Sequence, residues 1–502
     1  MAREFTASAR WSTLDGKRQG FLSRCERYAA LTVPSVCPPD NFDSGQDELP
    51  LSLNSIGAQC VNSLVNSMIL AMFAPSRPFM RLELPREQKQ AILDGLKMTE
   101  SEFREEMSAA EMDCVKELDT IGARPKLYDL MSHLIITGNA ARLMDGDVMR
   151  IIGVRGFVVR RNNKGEAVEI ITKEKVLKDD VDPDIQHMFK DDETEEEFYR
   201  WWKRTGNKYV ETQWVGDQQI RSSKYAGQYK LNDMPIQIHT WRLPDKADYA
   251  VSLVEDYIGD FEGLDQLTEA EVNGAILASE FRWLANPAGM TRPEDIKRSV
   301  NGDVVPGQKG DLELVSAGAV AGALQVVAAS AERYIRRLGA GFLLPQSIQR
   351  DAERVTAEEI RVLANQLETG LGGIYSRLAL DLQRPLAFWL MDRVGGEIFK
   401  GTDFEPVVVT GLDALSRNGD LENIRAFLGD VVQIVAMPDE VKMYLKLDNL
   451  MAGLAAGRGM RSSEYVNTQK EVDAVLQKRN QAAVTQEAGM MATEQAIKTQ
   501  GE

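Results

Sequence analysis

The residues best equipped for chemistry are ten carboxylates crowded between Asp179 and Glu197, with Lys190 the one lysine or arginine among them. Such oxygens are hard ligands for Mg²⁺ or Ca²⁺, and Asp179, Asp180 and Asp182 could then serve a metal-dependent hydrolase or nuclease. The run has no EF-hand spacing and no glycine, so it reads better as a solvated acidic loop. The three histidines, His133, His187 and His239, lie far apart, and none begins an HExxH zinc motif. His133 falls within the apolar run Leu130-Met131-Ser132-His133-Leu134-Ile135-Ile136 and reads as a satisfied structural histidine. The only Gly-Lys step, Gly16-Lys17, is followed by Arg18, which excludes a Walker loop, and no GxSxG elbow occurs. Gly370, Gly372 and Gly373 sit inside a helical pattern, where close packing of helices explains them better than a dinucleotide loop. Cys25, Cys37, Cys60 and Cys114 fit neither CxxC zinc spacing nor a disulfide framework, so reduced core thiols in a cytosolic setting are expected. The expectation is therefore no catalytic residue, no metal and no cofactor.

Without a reaction centre, the elements themselves carry the information. The spacing predicts one or two helices over 4–33, ended by Val33-Pro34, and a buried helix from Ser55 to Phe73. Phe79 to Leu84 alternates like a strand, and helices follow over about 86–119 and 125–140. The block from about 148 to 242 reads as β-rich, with Asn162-Asn163-Lys164-Gly165 as a hairpin turn. Its aromatic set, including Trp201, Trp202, Tyr209 and Trp214, could stack bases, but in strands it more often builds a sheet core. A long helix is expected from Leu253 to Leu284, carrying eight acidic residues against Arg282 alone. Like charge at that density is unfavourable by itself, so something outside the helix must make it useful or tolerable. Residues 286–315 read as short strands with turns, and Ala317 to Leu338 as a helix with a small-residue face. Thr356 and Glu359 form a capping box that opens a third long helix toward Trp389, kinked at Pro385. A strand and turn at 404–415, helices to about 479 and a frayed tail complete the reading.

The formal charge of −17 and a pI near 4.9 argue against a general basic surface for nucleic acid. They do not exclude a protein that handles DNA by repelling it. The apolar run from Leu64 to Ala74 is too short for a bilayer, which needs about 20 residues, and the N-terminus lacks the features of a signal peptide.

Six stretches, in order, resemble the portal, or head-to-tail connector, proteins of short-tailed bacteriophages. They are Ile56-Gly57-Ala58 with its apolar helix, Thr137-Gly138-Asn139-Ala140 and Glu255-Asp256-Tyr257-Ile258-Gly259-Asp260. Asn286-Pro287-Ala288-Gly289-Met290-Thr291 follows, then Arg354-Val355-Thr356-Ala357-Glu358-Glu359-Ile360-Arg361 with Leu371-Gly372-Gly373-Ile374-Tyr375-Ser376, and finally Thr410-Gly411-Leu412-Asp413-Ala414. Nothing past about residue 425, nor the acidic loop at 179–197, shares in the likeness.

The resemblance implies an α+β, mainly α, portal-type subunit with long stem and wing helices, a small β-rich wing region and a helical crown. It divides the chain into a wing (1–252), a first stem helix (253–284), a clip (285–316), a second stem helix (317–340), a channel loop (341–355), a long wing helix with a strand (356–415), a crown (416–480) and a flexible tail (481–502). It further implies a homo-oligomeric ring of about twelve copies at one capsid vertex of the virion, assembled in the host cytoplasm. Double-stranded DNA would pass through without sequence readout. Packaging terminase, tail adaptor, major capsid and scaffolding proteins, and internal ejection proteins would be partners, with no membrane involved. In that frame Gln346, Gln349, Arg350 and Arg354 are candidates for transient phosphate contact. Glu255, Asp256, Asp260, Asp265 and Glu269 are candidates for an acidic channel lining that repels phosphate. Arg292, Glu294, Asp295, Lys297 and Arg298 are candidates for clip docking. Another ring-forming capsid or tail protein is the structural alternative.

Overall fold

Thr6 opens the first helix by accepting the Ala9 amide on its hydroxyl at 3.2 Å, which satisfies one of the unpaired first-turn donors. The computed structural model describes residues 5–75, 78–83, 100–190, 194–231, 234–279, 281–316, 320–344, 357–394 and 407–410, with 428, 429, 432 and 450 singly. Residues to Gly411 form one compact unit and those from Leu412 a second. In chain order the helices are α1 (Ala7–Lys17), α2 (Gln19–Ala30), α3 (Ile56–Met72), α4 (Glu100–Thr120), α5 (Ala123–Thr137), α6 (Leu253–Asp256), α7 (Ile258–Ser279), α8 (Pro293–Arg298), α9 (Val320–Gly341), α10 (Ala357–Gly370), α11 (Ile374–Leu378) and α12 (Arg384–Val394). The fold class is α+β, mainly α.

The β-rich block forms two antiparallel sheets. β2 (Asn139–Asp145) is central between β10 (Ile236–Thr240) and β3 (Val148–Ile152). The larger sheet runs β4 (Phe157–Arg161), β5 (Ala167–Val176), β6 (Glu196–Thr205), β7 (Lys208–Val215) and β8 (Gln218–Gln219), with β9 (Ala226–Lys230) also paired to β7. The turn at 162–165 closes β4 onto β5, and Gly165 takes the positive φ of 79° that such a turn requires. The aromatic residues build core, as their strand setting predicts. Trp202 and Tyr199 are buried, and Ala7, Trp11 and Leu14 of α1 pack with Val158, Ile171 and Tyr199, flanked by Trp201 and Trp214.

Four expectations need correction. The acidic loop is not merely solvated: Ile185 and Phe189 anchor it in a small cluster with Val215, Ile220 and Tyr225, and Asp182 accepts the Tyr225 hydroxyl at 2.7 Å. His133 is enclosed and loses its proton readily, its pKa falling to about 4 through desolvation, but its Nδ1 has no partner among the described residues. It is structural without being satisfied. The third long helix is broken at Gly372 and Gly373, and only Gly370 of its three glycines is closely packed, a methyl there lying 3.2 Å from the Leu343 side chain. Gly372 and Gly373 take φ of 65° and 85°, and two successive left-handed residues end α10 before α11 begins. Farther on, the Pro385 effect appears one turn earlier, as a π-helical turn over Ala379–Gln383. A proline without an N–H, and with a ring that crowds the carbonyl four residues back, is relieved by such widening.

The fourth correction concerns the helix expected over 253–284. Tyr257 breaks it after α6, and it stops at Ser279. Phe281–Ala285 instead form β11, paired antiparallel with β12 (Leu312–Ser316) in the register Phe281↔Ser316 to Ala285↔Leu312. Aromatic and branched residues on both segments favour a ladder over another helical turn. Strands are expected at Phe79–Leu84 and within 404–415; Met80–Glu83 (β1) and Val407–Thr410 (β13) are strands, and they pair antiparallel with each other.

Candidate functional site

Three neighbouring features meet around α7: its pairing with α9, its carboxylates and the excursion beyond β11. Ser252 caps α6 by accepting the Glu255 amide at 3.0 Å, and α7 follows after Tyr257. α7 and α9 then lie antiparallel, as their contacts run in opposite senses along the chain. A methyl on Gly341 would meet the Tyr257 ring at 2.5 Å, one on Gly263 the Tyr334 ring at 3.0 Å, and one on Gly274 the Leu324 side chain at 2.5 Å. Arg337 pairs with Asp260 at 2.9 Å between the first two of these levels. Phe342 closes the end, with ring centroids 5.5 Å from both Tyr257 and Phe261. The small residues thus set a short separation between the helices.

The structure also shows what makes the acidic helix tolerable. Glu255 lies 3.6 Å from Arg24, Asp256 2.6 Å from Arg242, and Glu262 pairs with Arg27. Asp265 accepts the Ser52 hydroxyl at 2.8 Å, the Leu53 amide at 2.9 Å and the Asn54 side-chain amide at 3.3 Å. Of the five proposed lining carboxylates, four are therefore engaged by their own chain, and Glu269 stands exposed, with Glu271 beyond it. The sequence hid this because the partners Arg24, Arg27, Arg242 and Arg337 come from distant stretches. The one visible hint is the three-residue spacing of Arg24 and Arg27, which puts both on one side of α2. Exposed ion pairs of this kind contribute about 0–1 kcal/mol each, so they orient the helix more than they stabilise it.

Beyond β11, residues 286–311 form an excursion held at its base by Asp311. Its carboxylate accepts the Thr291 amide and hydroxyl, both at 2.9 Å. The Thr291 hydroxyl in turn accepts the Gln308 amide at 2.9 Å, and the Asn286 amide donates to the Asp311 carbonyl at 2.8 Å. Glycine is required here by space: a methyl on Gly289 would lie 2.5 Å from the Asp311 carboxyl carbon, and one on Gly307 2.5 Å from the Thr291 hydroxyl. The stretch Asn286-Pro287-Ala288-Gly289-Met290-Thr291 is thus a knot. α8 stands on it, a helix the sequence reading missed, with Pro293 at its first position, Glu294 and Asp295 in its first turn and Lys297 and Arg298 in its last. That order complements the helix dipole. Together with Arg292 these four charges are exposed side by side, as are Met290 at 81% and Val304 at 98%.

The donors around Asp311, led by the Thr291 amide, hold its carboxyl below the usual range. A depressed carboxyl adds order above its unfolded pKa and loses it as pH falls through the folded value. Amide protection over 286–311, measured against the intrinsic exchange rate at each pH, should therefore fall at acid pH before that of the sheets. Asp311→Ala should show the fast exchange already at neutral pH, and unchanged protection in that variant would dismiss the knot.

Gln346, Gln349, Arg350 and Arg354 lie outside the described residues, as do the capping pair's Thr356 and nearly all of 416–502. Among the described residues, no group of three or more His, Cys, Asp or Glu could hold a metal ion, and no helix is long and apolar enough to cross a membrane. Asp182, one of the three candidate metal carboxylates, lies 2.8 Å from Lys224.

Comparison with known proteins gives concordant results. The family model described as bacteriophage head to tail connecting protein matches residues 4–466. A portal protein of Enterobacteria phage SP6 is 27% identical over 493 residues, 95% of this chain and 92% of that one. Those of Enterobacteria phage T3 and Escherichia phage T7 are each 27% identical, covering 94% and 90% of this chain and 90% and 86% of their own. A chain from the neck of a native gene transfer agent particle, computed with C12 symmetry, is 15% identical with a TM-score of 0.35. It covers 79% of this chain and 99% of its own, a likeness too slight to argue from.

Proposed function

The chain belongs to the bacteriophage head-to-tail connecting protein family, and from that premise we propose that it is a portal protein. Copies of it, about twelve, close into a ring at one vertex of the virion capsid, and double-stranded DNA passes through during packaging and ejection. The observation that carries this reading is the antiparallel pair α7 and α9 with a knotted, charged excursion at its end. It supports a stem followed by a clip, the order that the resemblance in sequence implies. In these terms the stem is α7 with α9, the clip 285–316, the channel loop 341–355, and the wing 1–252 together with 356–415. The crown is 416–480, with a tail at 481–502.

No catalytic chemistry is assigned. The conduit works by not gripping: a ring carrying −17 per copy presents a strong negative field to a polyanion, even after salt screening over about 8–10 Å. Because Glu255, Asp256, Asp260 and Asp265 are already engaged, the exposed carboxylates left on α7 are those of Glu269 and Glu271. Transient phosphate contacts fall to Gln346, Gln349, Arg350 and Arg354 in the loop. Arg292, Glu294, Asp295, Lys297 and Arg298 dock the packaging terminase and later the tail adaptor. Major capsid, scaffolding and internal ejection proteins meet other surfaces, and assembly occurs in the host cytoplasm.

The test is an averaged electron-microscope image of the purified protein down its axis, paired with the DNA content of particles carrying Arg350→Ala and Arg354→Ala. A closed ring with a central hole, and intact rings that package less DNA in the variant, are expected. A compact monomer overturns the whole reading; full DNA content in the variant removes only the loop. Clip charge reversal that leaves both docking partners bound removes only the docking assignment.

A further inference from the structure

One arginine of the three-stranded sheet is buried as a cation with no counter-charge among the described residues. Arg142 lies midway along β2, the central strand, and is 2% exposed. In register it stands between Ile151 of β3 and Gln237 of β10, and Ala140 and Met144 share its face along β2. His239, also 2% exposed, stands opposite Ala140 and so lies on the same face, diagonal to Arg142. The Arg142 Nη2 donates to the Gln237 side-chain oxygen, while Nε and Nη1 have no partner among the described residues. The Nε2 of His239 has none either.

Two other enclosed arginines are handled differently. Arg18, 3% exposed, pairs with Asp15 at 2.8 Å, and Arg200 pairs with Glu211 at 3.0 Å. Arg142 is met only by a neutral amide oxygen. Burial lowers its pKa only to about 10, so the guanidinium stays charged at neutral pH. Desolvation, with Arg142 beside it, holds His239 well below its ordinary pKa, so the imidazole stays neutral and carries one N–H. A buried charge without a partner is among the costliest groups in a fold. Water can satisfy its donors but cancels none of its charge. A halide does both, and a large ion of single charge loses less on leaving water than a divalent oxyanion does.

We propose that this face of the sheet holds one halide ion, chloride in ordinary salt, between an unpaired N–H of Arg142 and the Nε2–H of His239. Gln237 orients the guanidinium through Nη2, and the second free N–H, which points away from the first, is left to water. The ion joins β2 to β10 by a contact beyond their ladder. β10 runs directly into Trp241, whose amide donates to the Gly138 carbonyl at 2.8 Å, and then into Arg242, which reaches Asp256 at 2.6 Å just ahead of α7. The ion thus fastens the strand from which the pair of α7 and α9 departs. The site is complete within one chain and does not depend on ring closure.

The experiment is equilibrium dialysis of the full chain. The protein is first dialysed exhaustively into sodium gluconate, then equilibrated with radioactive chloride at constant ionic strength. One chloride bound per chain, displaced by bromide, is expected. The net charge of −17 keeps general surface uptake of anions low. Arg142→Met keeps the length of the side chain and removes its charge, and it should weaken binding at least about tenfold. His239→Leu, which leaves the charge and removes one donor, should weaken it severalfold. A parent chain that takes up no chloride overturns the proposal, the donors then being satisfied by water only. Equal uptake by parent and folded Arg142→Met also overturns it, since the ion then sits elsewhere. Should circular dichroism show that Arg142→Met does not fold, His239→Leu decides in its place, and unchanged affinity there overturns the proposal.

Discussion

Gly57→Ala is expected to leave little folded protein. The added methyl would sit 2.0 Å from the carbonyl oxygen of Leu31, 3.0 Å from its carbonyl carbon and 3.1 Å from the Thr32 Cα. All three are backbone atoms at the corner where α2 ends, and Leu31 is itself pinned by its amide to the Arg27 carbonyl. No side chain can swing aside. Either the corner opens or α3 withdraws, and α3 carries Cys60, Val61, Leu64, Val65 and Met68 into the core. Overpacking against movable side chains costs about 1–3 kcal/mol; against fixed backbone the expected cost is about 3 kcal/mol or more. Denaturant midpoints and soluble yield check it. Gly20→Ala within α2 is the control, since its methyl meets nothing within 4 Å and gains helix propensity. A Gly57→Ala chain as stable as that control would refute the argument.

Asn139→Leu should be nearly as damaging, for the opposite reason: it fits but cannot bond. Asn139 is fully buried at the start of β2. Its side-chain amide donates to the carbonyls of Thr137 and Ala250, both at 3.0 Å, and its oxygen accepts the Ala250 amide at 2.9 Å. One side chain thus staples the end of α5 to the segment leading into α6. Leucine would remove three hydrogen bonds and strand an amide and two carbonyls out of water. At about 1–3 kcal/mol for each of the three unsatisfied groups, the total is roughly 3–9 kcal/mol. The Ala250 amide should lose its exchange protection in the same variant. A stability loss below about 1 kcal/mol would show that water or a shifted backbone replaces the staple.

These two positions explain why so much of the fold was legible in the sequence and so little of the working surface. Periodicity marked α1 to α3, the β block and the strands at 80–83 and 407–410, because each buries one face. The recurring short stretches around Gly57, Asn139 and Gly289 were visible as motifs, yet their meaning needed contacts across 26, 111 and 22 residues. Each turns out to be a packing or hydrogen-bonding device, not a reaction centre. The acidity of α7 was read correctly as needing an outside cause. The cause lies in arginines more than 200 residues upstream, together with Arg242 and Arg337, and beyond the three-residue spacing of Arg24 and Arg27 no local pattern announces them. The helix boundary at Ser279 was missed because Phe281 to Leu284 continues an apolar rhythm equally compatible with helix and strand.

The close fit of α7 and α9 across Gly263 and Gly274 acquires another meaning once copies are arranged in a circle. In the proposed ring, with α7 and α9 side by side along its perimeter, each copy would contribute one helix-to-helix spacing, and symmetry would give every deviation the same sign. A misfit of a few tenths of an ångström that a lone molecule would absorb by relaxing is multiplied by the number of copies, and appears as a gap at the final joint or as a change in that number. On this view the two glycines act as a gauge for circumference, and the tolerance on their substitution is set by closure of the whole and not by the stability of the part.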